Sequence, residues 1–474
     1  VKPRAIVVGA GSAGSVLAAG IADRFDVTVL EAGRRMPRPH REQTADPDEL
    51  AVSPAVRWAL PAHLTSGRQW TASPGRVVGG SSVPNGGYFA APVDEDLKRW
   101  HSAGGEAWEP ARVRAAIDRV ARELGAHPAP QTHPIARAFA EASAAAGRSA
   151  GLLRLDTVVH DGFPRNVADV YLDRASVDLR TGSRALTVVI EGERVAGVDV
   201  AHDDGSREVL PAEQVILCAG GFGTARLLLA SGIGPAARLE RCGIPPRVDL
   251  PGVGAAFSDH PTVWVEWRPT PALGGRSARP EWEDGAFPVA LSVGADGGPG
   301  DDLEILACIR PPAMPADDAS PYGVIVGLQR PLSRGTVDAS SAHPFAPLRI
   351  DYRYLDDPRD RAALRTGVRT AAALLTSTQF APLVESLVAL DDGTLTHDDL
   401  LDDWIRRRLG SASHTCGTAP MGQTDDPLAV VDGAGRVPGL AGLRIADTSV
   451  LPAVPSRAPG TIACAIGAII AQQL

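Results

Sequence analysis

The sequence predicts an α/β fold: a parallel sheet assembled from N-terminal, middle and C-terminal segments, next to an α+β region built on an antiparallel sheet. Three observations carry this. The first is the order strand, glycine turn, helix, strand, acid at the start of the chain. Ala5-Ile6-Val7-Val8 leads into Gly9 to Gly14, then an Ala-rich apolar stretch from Ser15 to Ala22, then Val27-Thr28-Val29-Leu30 and Glu31. Short β-branched runs bounded by turn residues read as buried strands, and the stretch between them as the crossover helix. The second is a similar unit in mid-chain, where Gln214 to Ala219 runs into Gly220-Gly221-Phe222-Gly223 and a helical Thr224 to Ser231. The third is the return of this style at the end. Gly442-Leu443-Arg444-Ile445-Ala446-Asp447 is a strand closing on an acid, and Thr461 to Ala471 is a terminal apolar helix.

The first unit has a physical logic residue by residue. Gly9 permits the tight turn, Gly11 lets the backbone approach a pyrophosphate, and Gly14 lets helix and strand pack closely. The helix N-terminus offers free N–H groups and the positive end of its dipole to phosphates. Glu31, ending the second strand, can hold adenosine ribose hydroxyls. This is a Rossmann-like dinucleotide motif, and it fits FAD and NAD equally.

Bulk properties narrow the class. A chain of 474 residues exceeds one ordinary hydrophobic core, so more than one domain or an elaborated one is expected. A net charge of −9 without a basic stripe argues against a nucleic-acid partner. Only Lys2 and Lys98 are lysines among 47 basic residues, which with 50 Gly and 40 Pro points to a GC-rich bacterial coding sequence. The five cysteines, Cys218, Cys242, Cys308, Cys416 and Cys464, are scattered and form no C-x-x-C, so free buried thiols are expected rather than disulfides or a zinc site. No signal-peptide pattern precedes the first strand, and the longest apolar run is too short to span a bilayer. A cytoplasmic protein without a transmembrane segment is the expectation.

Between these landmarks, Arg34 to Pro61 reads as an irregular excursion. Pro74 to Gly87 carries five glycines flanked by Val77-Val78 and Tyr88-Phe89, which fits a backbone pressed against a flat ligand better than a surface turn. Ala111 to Gly125 and Pro134 to Gly147 read as helices, and Val188-Ile190 and Val195-Val200 as a meander. From about Asp259 to Leu409, Pro- and Gly-rich connections join strands near Ala290, Ile305 and Val324. The expected division is a nucleotide domain from 1–90, 160–258 and 410–474, a helical covering segment 91–159, and a substrate domain 259–409.

Together these motifs resemble the glucose–methanol–choline (GMC) family of FAD oxidoreductases, almost end to end. Gly75-Arg76-Val77-Val78-Gly79-Gly80-Ser81-Ser82 through Asn85-Gly86 is similar to the family's first signature. Ala219-Gly220 through Thr224 to Gly234-Pro235 is similar to its second. Gly252-Val253-Gly254 with Asp259-His260-Pro261, Ser333-Arg334-Gly335, His414 to Gly422, and Arg444 to Ser449 match further landmarks. The resemblance implies FAD contacts from Gly9, Gly11, Ser12, Ala13, Gly14, Glu31, Ala32, Arg76, Val78, Gly79, Gly80, Ser81, Asn85, Gly86, Ala185, Ala219, Gly220, Asp447 and Thr448. Among these, Glu31 would hold the adenosine ribose, Ala185 the adenine edge, and Asp447 the ribityl or phosphate region. No histidine lies between Val77 and Tyr88, so non-covalent FAD is expected.

The resemblance also implies oxidation of an alcohol by hydride transfer to flavin N5, which requires a base for the hydroxyl proton. A histidine suits that task near neutral pH, and His414 occupies the family's catalytic position. His260 reads as a structural landmark. The chain departs from the family near its C-terminus, where a second His or Asn is usual. Here Pro455-Ser456-Arg457-Ala458-Pro459-Gly460-Thr461 offers neither. Ser456 or Arg457 could replace it as donor or charge; equally, Arg457 could be a surface residue on a shortened loop. An arginine stays protonated and is a poor base. The short Ser-Arg-x-Pro loop and modest length resemble the bacterial branch encoded with mycofactocin biosynthesis genes, which implies a dehydrogenase of a reduced redox cofactor. Two alternatives share the frame, an O₂-using alcohol or sugar oxidase and a non-redox lyase that keeps FAD as a fixture.

Overall fold

The computed structural model describes residues 1–36, 53–160, 162–273, 286–309 and 322–474. Most of the expected excursion after Arg34, and much of the connection from Thr270 to Ser320, lies outside them.

The parallel sheet forms from the three expected parts of the chain. Its order is Asp178–Arg180, Asp26–Leu30, Arg4–Val8, Gln214–Leu217, Leu443–Ile445, and every pairing is parallel. Continuous burial of Ala5 to Val8 explains why these strands read as unbroken apolar runs. The glycine turn feeds the helix Ser12–Ile21, which has Gly11 as N-cap and no side-chain cap. Its first N–H groups are therefore left for a ligand. A Cβ on Gly14 would stand 2.0 Å from the Gly9 carbonyl oxygen, so only glycine allows this approach of helix to turn. The terminal helix Gly460–Ala471 packs across the first, with Gly467 so close that a Cβ would lie 2.2 Å from the Ala13 carbonyl oxygen. The mid-chain helix starts at Gly220, four residues earlier than expected, because the glycines form its first turn. The meander extends to Ser183–Glu191, Arg194–His202 and Arg207–Pro211.

The second sheet has seven strands. Val384–Leu387, Pro261–Pro269, Tyr322–Leu328, Leu303–Ala307, Val289–Val293 and Leu152–Arg154 follow in order, and Leu409–Ser411 also pairs with the start of Pro261–Pro269. The ladders along it are antiparallel. Leu152–Arg154 comes from the segment expected to cover the nucleotide region, yet it forms the sheet's edge. Alternation sorts the strands into two faces. Val263, Val265, Val326, Ile305 and Leu291 are fully buried on one face, against the helices Pro358–Leu375 and Pro134–Ala145. Thr262, Trp264, Glu304, Leu306, Ala290 and Ser292 share the other, as the register Ser292↔Glu304, Ala290↔Leu306, Leu306↔Ile325 and Trp264↔Ile325 requires. A four-stranded sheet joins Leu60–Thr65 and Arg68–Ala72 to Thr336–Ala339 and Leu348–Asp351. All five cysteines are free. Among the described residues no helix is long and apolar enough to cross a membrane.

Candidate active site

Two chain segments zip together to build the site. Leu409–Ser411 pairs antiparallel with the start of Pro261–Pro269, Pro261 opposite Ser411, and Ser258 and Cys416 form a further bridge. The Ala412 N–H donates to the His260 carbonyl at 3.1 Å. Between these contacts the chain swings out through Ser413, a non-glycine residue held at φ +60°. Backbone strain of this kind persists only where the surroundings enforce it. Here Asp259 does so: its carboxylate accepts from the His414 N–H at 2.9 Å and from the Thr415 hydroxyl at 2.8 Å. Burial pushes the Asp259 carboxyl up to about 6.

The result sets His414 edge-to-face against His260, ring centroids 5.0 Å apart and Nδ1 to Nδ1 2.9 Å. Burial, reinforced by the His260 ring, holds His414 well below the ordinary histidine range. Burial pushes His260 down to about 4. Both rings are therefore neutral at pH 7. His260 Nε2 in turn lies 2.8 Å from the Pro455 carbonyl oxygen, which ties the C-terminal loop to the pair. The sequence marked Asp259-His260-Pro261 only as a landmark, and the contact with His414 was not foreseen.

Ser456 and Arg457 are both buried. The Ser456 N–H donates to Asp96 at 2.8 Å, and its hydroxyl receives a bond from Arg330 Nε at 2.9 Å. Arg457, 7% exposed, is no surface residue. Its guanidinium donates to the Ser456 carbonyl, to Ser292 Oγ and to Asp301, with Glu304 Oε2 at 3.8 Å. Tyr88 donates to Glu304 from the other side at 3.0 Å. Removing one partner of a buried ion pair strands the other and costs about 3–5 kcal/mol. Arg457→Met is accordingly expected to lower stability by about that amount in denaturant titration of the FAD-loaded protein. A loss below about 1 kcal/mol, typical of an exposed pair, would contradict the buried role.

Several of the predicted cofactor residues meet at the carboxyl ends of the central parallel strands. Gly79 and Gly80 adopt φ +104° and +56°. The Gly79 N–H donates to the Ala10 carbonyl at 2.8 Å, and a Cβ on Gly80 would stand 2.7 Å from Gly11 Cα. The five-glycine loop is thus docked on the dinucleotide turn. Ser81 Oγ and Asn85 Oδ1 are engaged within that loop, accepting from the Gly75 and Gly87 N–H groups. Asn166, unforeseen, braces it by donating to the Val78 carbonyl. Glu31 is buried and accepts from the Ala10 and Gly33 N–H groups, and burial raises its carboxyl to about 7. Ala185, also buried, gives its carbonyl to Arg226 at 2.7 Å. Asp447 accepts from four donors: Gly220 N and Thr224 Oγ1 on one oxygen, Ser449 N and Oγ on the other. That fills a carboxylate's acceptor capacity, so its contacts here are to the protein's own turns rather than left free for a ribityl hydroxyl. Thr448 donates to the Thr415 carbonyl, joining this region to the His414 segment.

These residues fit FAD. The uncapped helix at Gly11 and Ser12 suits a pyrophosphate, and Gly80 lets the loop backbone lie directly on the dinucleotide turn at Gly11. Among the buried polar atoms that lack a protein partner are Arg76 Nε beside the turn and Thr461 Oγ1 in the first turn of the terminal helix. Among the described residues no cluster of His, Cys, Asp and Glu could hold a metal.

Comparison with known proteins places the chain in a family. Two GMC oxidoreductase family models match, one over residues 4–262 and one over 331–467. An uncharacterized GMC-type oxidoreductase of Rhodococcus erythropolis is 33% identical, over 96% of this chain and 94% of its own. An oxygen-dependent choline dehydrogenase of Rhizobium etli is 29% identical, over 95% and 91%. The pyridoxine 4-oxidase structure from Mesorbium loti superposes with a TM-score of 0.86 at 26% identity, covering 100% of this chain and 99% of that one. A formate oxidase of Aspergillus oryzae, 22% identical with a TM-score of 0.88 over 99% and 97%, shares the fold. The chain belongs to the GMC oxidoreductase family and is an FAD-dependent oxidoreductase acting on CH–OH groups.

Proposed function

We propose that His414 is the general base for oxidation of an alcohol, and that FAD is held without a covalent bond. FAD, when bound, accepts the hydride from the carbinol carbon. The observation that carries the base assignment is the half-buried His414 ring, kept neutral by burial and braced by Asp259 and His260. A neutral imidazole can take the hydroxyl proton as the C–H bond weakens. Gly9 to Gly14 would hold the pyrophosphate end of the cofactor, with the loop at Gly79 and Gly80 docked beside them. The nucleotide region spans 1–90, 160–258 and 410–474, with 259–409 as the substrate domain.

The electron acceptor in this proposal is not O₂, and reduced mycofactocin is the substrate suggested by the short loop at Ser456-Arg457. A second reading, with O₂ as acceptor, draws on the relatives named as an oxygen-dependent choline dehydrogenase and a pyridoxine oxidase. The test is anaerobic mixing of the FAD-loaded enzyme with choline, pyridoxine, an aryl alcohol and reduced mycofactocin. Bleaching of the oxidised flavin band is the expected result with at least one of them, and admitting air should restore the band more slowly than adding an artificial acceptor. Substrate consumed with the band untouched would point to the lyase and overturn the redox reading. Rapid reoxidation by air would favour the oxidase.

A further inference from the structure

We infer that His260 is a positioning residue that fixes the tautomer of His414 and leaves His414 Nε2 as the bare, proton-accepting nitrogen. This rests on the reading of His414 as base. The argument starts at the far end of the pair. His260 Nε2 is 2.8 Å from the Pro455 carbonyl oxygen. A carbonyl oxygen only accepts, so this nitrogen carries the hydrogen. His260 is 1% exposed and burial keeps its ring neutral, so it holds one proton and its Nδ1 is an acceptor. His414 Nδ1 lies 2.9 Å from that acceptor. Two lone pairs at this distance would repel, so His414 Nδ1 must carry a hydrogen and donate it. His414 is neutral too, which leaves its Nε2 with the lone pair. The partner of one ring nitrogen thus decides what the other can do.

The chemistry follows with its protons accounted for. The substrate O–H bond breaks and its proton joins His414 Nε2. FAD, when bound, would take the C–H electron pair as hydride, so that loss of the proton to His414 and loss of the hydride together leave a carbonyl. The imidazolium then donates a charge-assisted hydrogen bond from Nδ1 to His260. The proton goes no further inward, because a second proton on His260 would put a cation in a buried site already facing Arg457. His260 orients and does not relay. The opposite tautomer of His414 would set two lone pairs together at His260 and present an N–H, unable to accept, to the alcohol.

The fold supplies the register for this contact. His260 sits immediately before Pro261–Pro269 and His414 shortly after Leu409–Ser411, so the antiparallel pairing of those strands brings together two residues 154 positions apart. Pro455 reaches the pair because its loop is pinned at both sides: the Val454 N–H donates to Ser258 Oγ at 2.7 Å, and the Ser456 N–H donates to Asp96.

Two substitutions separate the ring's two nitrogens. In His260→Asn the amide oxygen stands near the place of Nδ1, which keeps an acceptor for His414 and loses the bond to Pro455. In His260→Gln the amide reaches the place of Nε2, which keeps the Pro455 bond and leaves His414 without its acceptor. Flavin reduction is measured anaerobically in the FAD-loaded enzyme, with whichever alcohol of the panel bleaches wild type fastest. His260→Asn is expected to stay within about 10-fold of wild type, and His260→Gln to lose about 100-fold or more, in line with loss of a base's correct tautomer. FAD content and the dissociation constant for the alcohol should be unchanged in both. A purely structural histidine would give equal losses or favour Gln, and either result would overturn the inference. A ¹⁵N spectrum of the imidazoles in wild-type enzyme tests it without mutation: His414 protonated on Nε2 would also overturn it. His414→Ala reducing flavin at the wild-type rate would instead remove the base assignment, whatever the His260 variants do.

Discussion

Replacing His414 with alanine is expected to slow flavin reduction by about 10²- to 10⁴-fold, the usual contribution of a positioned general base. FAD content should stay at the wild-type level, because the His414 ring contacts His260 and not the glycine turns that hold the dinucleotide. Stopped-flow bleaching under anaerobic conditions separates the two quantities, and a variant that binds FAD but bleaches at the wild-type rate would refute the assignment. The pH dependence provides a second readout. The groups around His414 are His260, the Asp259 carboxylate on its backbone N–H, the Cys416 thiol donating to its carbonyl, and Arg457 beyond His260. Because the His414 pKa is lowered, its basic form persists below pH 6.5. The wild-type rate should therefore be flat through neutrality and fall only on the acid side of 6.5, where an ordinary histidine would already have lost half its activity. Stability follows the same sign. His260 and His414 both bind protons more weakly folded than unfolded, so the unfolded chain gains protons first as pH falls. Their contribution is intact above about pH 6.5 and declines below it, down to about pH 4 for His260. His414→Ala should flatten part of that decline.

The parts of this protein that could be read from sequence are those whose physics is local. A buried strand, a glycine that must turn or yield space, and a helix N-terminus beside it occupy a few consecutive residues. The start of the chain thus announced both its sheet and its ligand class. The mid-chain unit and Leu443–Ile445 were visible for the same reason. His414 was different, since its residue type alone favoured a packing role and only the surrounding motif singled it out. What stayed hidden depends on long-range register. The His260–His414 contact exists because two strands pair, and no pattern near either histidine encodes that pairing. Arg457 displayed a charge and a broken motif, but its partners Ser292 and Glu304 lie on the second sheet and Asp301 in the bend that leads into it. Asp96 is another example. The helix Asp94–Gly104 was not foreseen, and its buried aspartate receives the Ser456 N–H across most of the chain.

Asp447→Ala is expected to damage the fold severely, and the reason lies in donors rather than in the cofactor. The carboxylate follows the strand Leu443–Ile445 and ties the first turn of the helix Gly220–Ala230 to the turn Thr448–Val450. One oxygen takes the Gly220 N–H at 2.9 Å and the Thr224 hydroxyl at 2.5 Å; the other takes the Ser449 N–H at 2.9 Å and the Ser449 hydroxyl at 2.5 Å. Alanine leaves all four without an acceptor. The hydroxyls can rotate toward other acceptors, but the two N–H groups are fixed by the helix Gly220–Ala230 and by the turn at Thr448–Val450. A buried donor left unsatisfied costs about 1–3 kcal/mol, so the pair accounts for about 2–6 kcal/mol, against a total stability of about 5–15 kcal/mol for a typical domain. Expression of soluble protein and its melting temperature should both fall sharply, with FAD lost along with the fold. Asp447→Asn retains one acceptor oxygen and the side chain's shape, and turns the second oxygen into a donor that confronts an N–H at one end only. It should therefore lie between wild type and alanine. A direct ribityl contact as the main role of Asp447 would give the opposite ranking of observables: apo-protein stability near wild type in both variants, with only FAD affinity reduced. Denaturant titration of apo and FAD-loaded protein side by side distinguishes them, because donors stranded inside the protein weaken both forms, whereas a lost cofactor contact weakens the loaded form alone.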